Sequence, residues 1–193
     1  MLGRTGDVGA IEPLVNCMEH DLESIRNLAA CALGNLEIES AVTPLLKYIQ
    51  KESESVDDRI TCGVGALEKI FKKIGGEKYV SNLIEILDKN ESIKIRAAVA
   101  KLLGKIGKNM RKEEKETIEK SLISVLEEAC KSDANVKEWN KPNILSNIFG
   151  ALGNVSCSEP ALDVLKHLNE KYDYSDIENT IHRIERRMRY NEC

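Results

Sequence analysis

The sequence predicts an all-α protein, an α-solenoid of about five antiparallel helical hairpins in which the first and last repeats are atypical. Three observations carry that expectation. Leu2–Val15 lies over Leu33–Leu46 at a constant offset of 31 residues, with Leu, Gly, Ala, Pro and Leu recurring in place. Self-similarity at such a period marks a repeat array, whose units bury their apolar faces only against one another. The composition agrees, because aromatic residues are 4% of the 193-residue chain and the apolar content is mostly aliphatic, which suits interlocking helices and disfavours a sheet. Apolar residues also recur at helical spacing in four places.

The clearest of these four is Leu22 to Leu36, where Ile25, Leu28, Ala29, Ala32, Leu33 and Leu36 form one stripe. Ile95, Ala98, Val99, Leu102, Leu103 and Ile106 repeat it, with Arg96 matching Arg26 and Gly104 matching Gly34. A third copy runs through Val64, Leu67, Ile70, Phe71 and Ile74 with Lys72 in the glycine slot, and a fourth from Ile144 to Val155 with Gly153 in register. Each follows a shorter amphipathic helix, expected at Val8–His20, Glu39–Glu52, Lys78–Lys89, Lys115–Lys131 and Ser158–Lys171. Pro13 and Pro44 fall near the starts of theirs, where a missing N–H does little harm. Short polar breaks such as Asn90-Glu91-Ser92 make each pair an antiparallel hairpin. Extra length collects in the polar stretches Lys51–Asp58, Lys108–Lys115 and Ser132–Lys141, where insertion is cheap. A repeat array has no separate cores, so residues 1–193 are expected to be one domain, either alone or as a fragment of a longer array.

Arg26-x-x-Ala29-x-x-Ala32-Leu33-Gly34, followed by Ala41-x-x-Pro44-Leu45-Leu46, resembles the HEAT repeat, specifically the HEAT-like repeat of phycobilisome lyases. Arg96-Ala97-Ala98 with Leu103-Gly104 is a second good copy. The resemblance implies a surface-presenting scaffold, and in the family the repeated arginine ties neighbouring repeats through an acidic residue near the preceding turn. Arg26 with Asp21 and Arg96 with Glu91 fit that role. The alternatives that the resemblance offers are a subunit of a tetrapyrrole (bilin or haem) lyase and a nucleic-acid-binding HEAT-like protein.

The net charge of −4 opposes general attraction to phosphate backbones, so nucleic acid is not the expected partner. Neither a membrane span nor a signal peptide is readable, and the expected location is the cytoplasm. Six cysteines without a Cys-x-x-Cys pair, most of them on helices, read as unpaired thiols in a reducing compartment. His20, His167 and His182 are scattered, and a bilin or haem pocket would need more aromatic residues, so neither metal nor other cofactor is expected. No nucleophile motif stands out, and a non-catalytic protein is expected.

The candidate binding residues come from positions beside the apolar stripes of the second helices. Lys69, Lys73, Lys94, Lys101 and Lys105 fall there with no Asp or Glu among them, and Asn27 and Asn143 share the same positions. In HEAT-like solenoids the second helices line the concave surface, so the resemblance implies a locally basic groove for an acidic or phosphorylated segment of another protein. Trp139, the sole tryptophan, sits in a polar break and is either an interface anchor or a cap on its own repeat. The segment Tyr174–Tyr190 carries Ile177, Ile181, Ile184 and Met188 on one stripe and Arg183, Arg186, Arg187 and Arg189 near its end, as a terminal capping helix would. Met1-Leu2-Gly3 matches the end of a second helix, so Val8–His20 is expected to expose an apolar edge and to promote self-association.

Overall fold

The computed structural model describes residues 8–51, 62–130, 144–171 and 175–190. Among them are ten α-helices and no strand. They are α1 (Ile11–Cys17), α2 (Glu23–Leu36), α3 (Val42–Lys51), α4 (Cys62–Ile74), α5 (Val80–Lys89), α6 (Ile93–Gly107), α7 (Lys112–Cys130), α8 (Ile144–Val155), α9 (Glu159–Lys171) and α10 (Ser175–Arg189). Single 3₁₀ turns at Val8–Ala10, Glu39–Ala41 and Glu77–Tyr79 lead into α1, α3 and α5. These three helices therefore start later as α-helices than the expected Val8, Glu39 and Lys78, because a tighter turn precedes each, whereas α7 starts at Lys112, three residues before the expected Lys115.

Two compact units divide the chain at Arg96–Ala97, inside α6. In the first, α1 packs on α2 and α3 on α4; α2 then stacks on α4, and α3 on α5. In the second, α7 packs on α8 and α9 on α10, while α7 stacks on α9 and α8 on α10. First helices thus lie on first helices and second on second, the all-α solenoid arrangement that the repeat predicts. Leu33, Leu45, Ile49, Leu67 and Leu83 are fully buried in one core, and Leu103, Ile118, Leu122, Leu152 and Leu165 in the other.

The close approach of second helices depends on missing side chains. A Cβ on Gly34 would stand 2.6 Å from both Cα and Cβ of Ala66 on α4, and one on Gly104 would stand 2.5 Å from Cα of Ala151 on α8. Carbon atoms need about 3.5–4.0 Å, so both contacts require glycine. The buried positions also correct one register. Ala29, Ala30 and Leu33 correspond to Ala66, Leu67 and Ile70, which places buried Phe71 in the slot of Gly34 and leaves Lys72 exposed, paired with Glu68 at 3.2 Å. An apolar side chain fills that space at less cost than an ammonium.

Helix α4 ends on Gly75, at φ +80°, whose N–H donates to Phe71 O at 3.0 Å. This left-handed cap is one that glycine adopts without penalty. At the start of α7, the N–H of Arg111 donates to Glu114 Oε2 at 3.1 Å, the reciprocal half of a capping box. Hydrogen bonds from Arg111, side chain first and backbone second, hold the Glu114 carboxyl below the usual carboxylate range.

Two expectations fail here. Leu28, placed on the buried stripe of α2, is 68% exposed. Cys157 is disulfide-bonded, whereas Cys17 and Cys31 are free thiols. Cys157 lies in the turn after α8 rather than inside a helix, so the argument for a small buried hydrophobe does not reach it, and unpaired thiols no longer support a reducing compartment. No helix of the described residues is long and apolar enough to cross a membrane.

Candidate functional site

In the first unit, the candidate lysines of α4 are exposed and engaged by neighbours from α2. Lys69 Nζ donates to Asn35 Oδ1 at 2.7 Å, and Lys73 Nζ lies 3.7 Å from a Glu37 carboxylate oxygen. Glu37 caps α2 in a left-handed conformation, φ 51°, just beyond the positions considered in the sequence, and supplies the acid that they lack. Exposed pairs of this kind are weak and exchange readily with a competing anion. Lys94, in the first turn of α6, is half-buried. In the second unit, Lys101 and Lys105 stand exposed on α6.

Asn27 is not a surface residue. It is buried between α2 and α3, its Oδ1 accepting a hydrogen bond from Tyr48 Oη at 3.0 Å, because this flank of α2 turns inward towards the next repeat. Asn143 and Trp139 lie outside the described residues.

The two repeated arginines bond backbone. Arg26 Nη1 donates to the carbonyl oxygens of His20 and Asp21, each at 3.0 Å, and Arg96 Nε donates to Leu87 O at 2.7 Å. Both sets close the turn within a single hairpin. Glu91 is exposed in the turn before α6. A tie between successive repeats comes from Asn90, whose buried Nδ2 donates to Ile49 O of α3 at 3.0 Å while its Oδ1 accepts from the N–H of Ser92 at 2.9 Å. Only its place in the turn Asn90-Glu91-Ser92, before the second helix, hinted at this.

A different group of cations converges in the second unit. A cavity of about 490 Å³ is lined by Lys108 after α6, Lys115 on α7, Gly153 and Asn154 near the end of α8, and Arg183 and Arg187 on α10. Arg187 Nη1 donates to the carbonyl oxygens of Asn154 at 2.8 Å and Ser156 at 3.2 Å, satisfying the terminal acceptors of α8. Arg183 lies across Gly153, where a Cβ would stand 3.0 Å from its Nη1. Its Nη1 also donates to Asn154 Oδ1 at 3.4 Å. Burial first, and the Arg187 charge second, push the Lys115 ammonium below the usual lysine range. Among the described lining residues there are four cations and no carboxylate. Arg183 and Arg187 were legible as a basic cluster on a capping helix, but nothing in the sequence pairs them with Lys108 and Lys115.

No group of three or more His, Cys, Asp or Glu side chains is placed to hold a metal ion among the described residues. The described arrangement offers cationic and hydrogen-bonding surfaces. Comparison with known families agrees with the architecture. Residues 5–36 match the Armadillo/beta-catenin-like repeat, a helical repeat related to the one suggested by the sequence. The match covers α1 and α2, the first hairpin. No curated protein matches the chain.

Proposed function

We propose that the protein is a non-catalytic interaction scaffold of the HEAT-like, two-helix kind, presenting its second-helix faces to an acidic or phosphorylated segment of another protein. Repeats of the Armadillo type generally mediate protein–protein interaction, and the match at residues 5–36 supports the same use here. The observation that carries the finer reading is the exposure of Lys69 and Lys73 on α4 and of Lys101 and Lys105 on α6, on helices whose other flanks are filled by core contacts. These are two separate surfaces, one in each unit. Capture of partners from a native extract, with amine-reactive footprinting of the bound protein, tests the reading. Protection of Lys69 and Lys73 or of Lys101 and Lys105 is expected, and Lys→Glu replacement of the protected pair should abolish capture with helicity unchanged. Undiminished capture by both double variants would remove the lysine faces from consideration.

A second contact surface is favoured by the first hairpin. At about 100° per residue, Ile25, Leu28 and Ala32 fall on the flank of α2 opposite Asn27, Ala30 and Gly34, which face the next repeat. Leu28 is 68%, Leu22 58% and Val8 64% exposed. This edge fits self-association, which light scattering over a concentration series would detect. Leu28→Ser should keep the protein monomeric.

A further inference from the structure

We infer that the cavity among α7, α8 and α10 of the second unit is a binding site for a phosphorylated side chain of a protein segment. The inference rests on the scaffold reading above and names a site separate from the lysine faces of α4 and α6. Four cations surround one cavity, and like charges gathered in a partly desolvated space repel unless a polyvalent anion joins them. Burial first, and the neighbouring Arg187 charge second, lower the Lys115 ammonium from its ordinary range.

The geometry is held in place before any ligand arrives. Arg187 is fixed by the carbonyl groups ending α8, and Arg183 lies against Gly153, where an added Cβ would make a tight contact of 3.0 Å with its Nη1. The guanidinium groups offer forked donors matched to phosphate oxygens, while Lys108 and Lys115 add point charges to the same lining. A phosphomonoester supplies close to two negative charges and three acceptor oxygens, more than a carboxylate can.

The lining also limits what carries the phosphate. Among the described lining residues none is aromatic, so a nucleotide or single-stranded nucleic acid would lack the aromatic platform on which bases usually stack. A volume of about 490 Å³ accepts more than a bare ion and leaves room for the residues flanking a phosphorylated one. Asn154 also lines the cavity and carries a hydrogen-bonding side chain for such a backbone.

The test is titration of the full chain with a degenerate phosphoserine peptide library, its unphosphorylated counterpart, inorganic phosphate and a short RNA. The NMR readout is the Nε–Hε resonances of Arg183 and Arg187. The phosphorylated library should shift both resonances saturably, at least ten-fold more tightly than its counterpart and than inorganic phosphate. Arg183→Gln and Lys115→Gln should each weaken it by about ten-fold, with circular dichroism unchanged; Arg187 is left intact because it also caps α8. Equal binding of both libraries, phosphate as tight as peptide, RNA as the tightest ligand, or wild-type affinity in both folded variants would each overturn the proposal. Partner capture through the lysine faces that survives Lys115→Gln while phosphopeptide binding is lost would separate this site from the scaffold reading.

Discussion

Replacing two glycines of neighbouring helices by alanine separates helix propensity from packing. Gly34 and Gly65 both lie inside helices of the first unit, so each gains about 0.8–1 kcal/mol from the intrinsic preference of Ala over Gly. At Gly65 nothing lies within 4 Å of the added Cβ, and the whole gain should appear as stability. At Gly34 the new Cβ would stand 2.6 Å from Cα and Cβ of Ala66, about 1 Å inside normal carbon contact. One of those atoms is backbone, so relief requires α2 and α4 to move apart, and overpacking of this kind costs about 1–3 kcal/mol. The propensity gain cancels between the two variants, and Gly65→Ala should exceed Gly34→Ala by about 1–3 kcal/mol. Urea denaturation followed by circular dichroism measures it, with Gly65→Ala above wild type, Gly34→Ala at or below it, and the slope unchanged. Equal midpoints for the two variants would show that α2 and α4 do not approach as described.

Leu33→Ala and Leu103→Ala each empty a fully buried position and should cost about 2–5 kcal/mol in the same assay. A loss below about 1 kcal/mol in either would mean that its repeat register is wrong. Because Glu114 has a folded pKa below its ordinary 4.5, its contribution is present above that value and is lost as pH falls through the folded pKa. Amide exchange in the first turn of α7 should therefore lose protection over that acidic range, and Glu114→Gln should remove the pH dependence. A disulfide at Cys157 consumes two of the six cysteines, so denatured, unreduced protein should titrate no more than four thiols, against six after reduction.

The 31-residue offset, the apolar stripes and the polar breaks determined by themselves that this chain is a helical repeat, and they placed the ten helices of the described residues within a few residues. Those features are local, and a helix's apolar spacing is set by its own 3.6-residue period. Which flank of each helix would be covered was not local information. Asn27 and Leu28 are adjacent, yet the polar one is buried and the apolar one is exposed, because one side of α2 meets the next repeat and the other does not. The slot taken by Phe71 rather than Lys72 was decided by space between stacked second helices, which a one-residue shift in periodicity leaves ambiguous. The cationic cavity depended wholly on tertiary structure. Lys108 follows α6, Lys115 lies on α7, and Arg183 and Arg187 lie on α10, and only the stacking of α7, α8 and α10 brings their charges around one space.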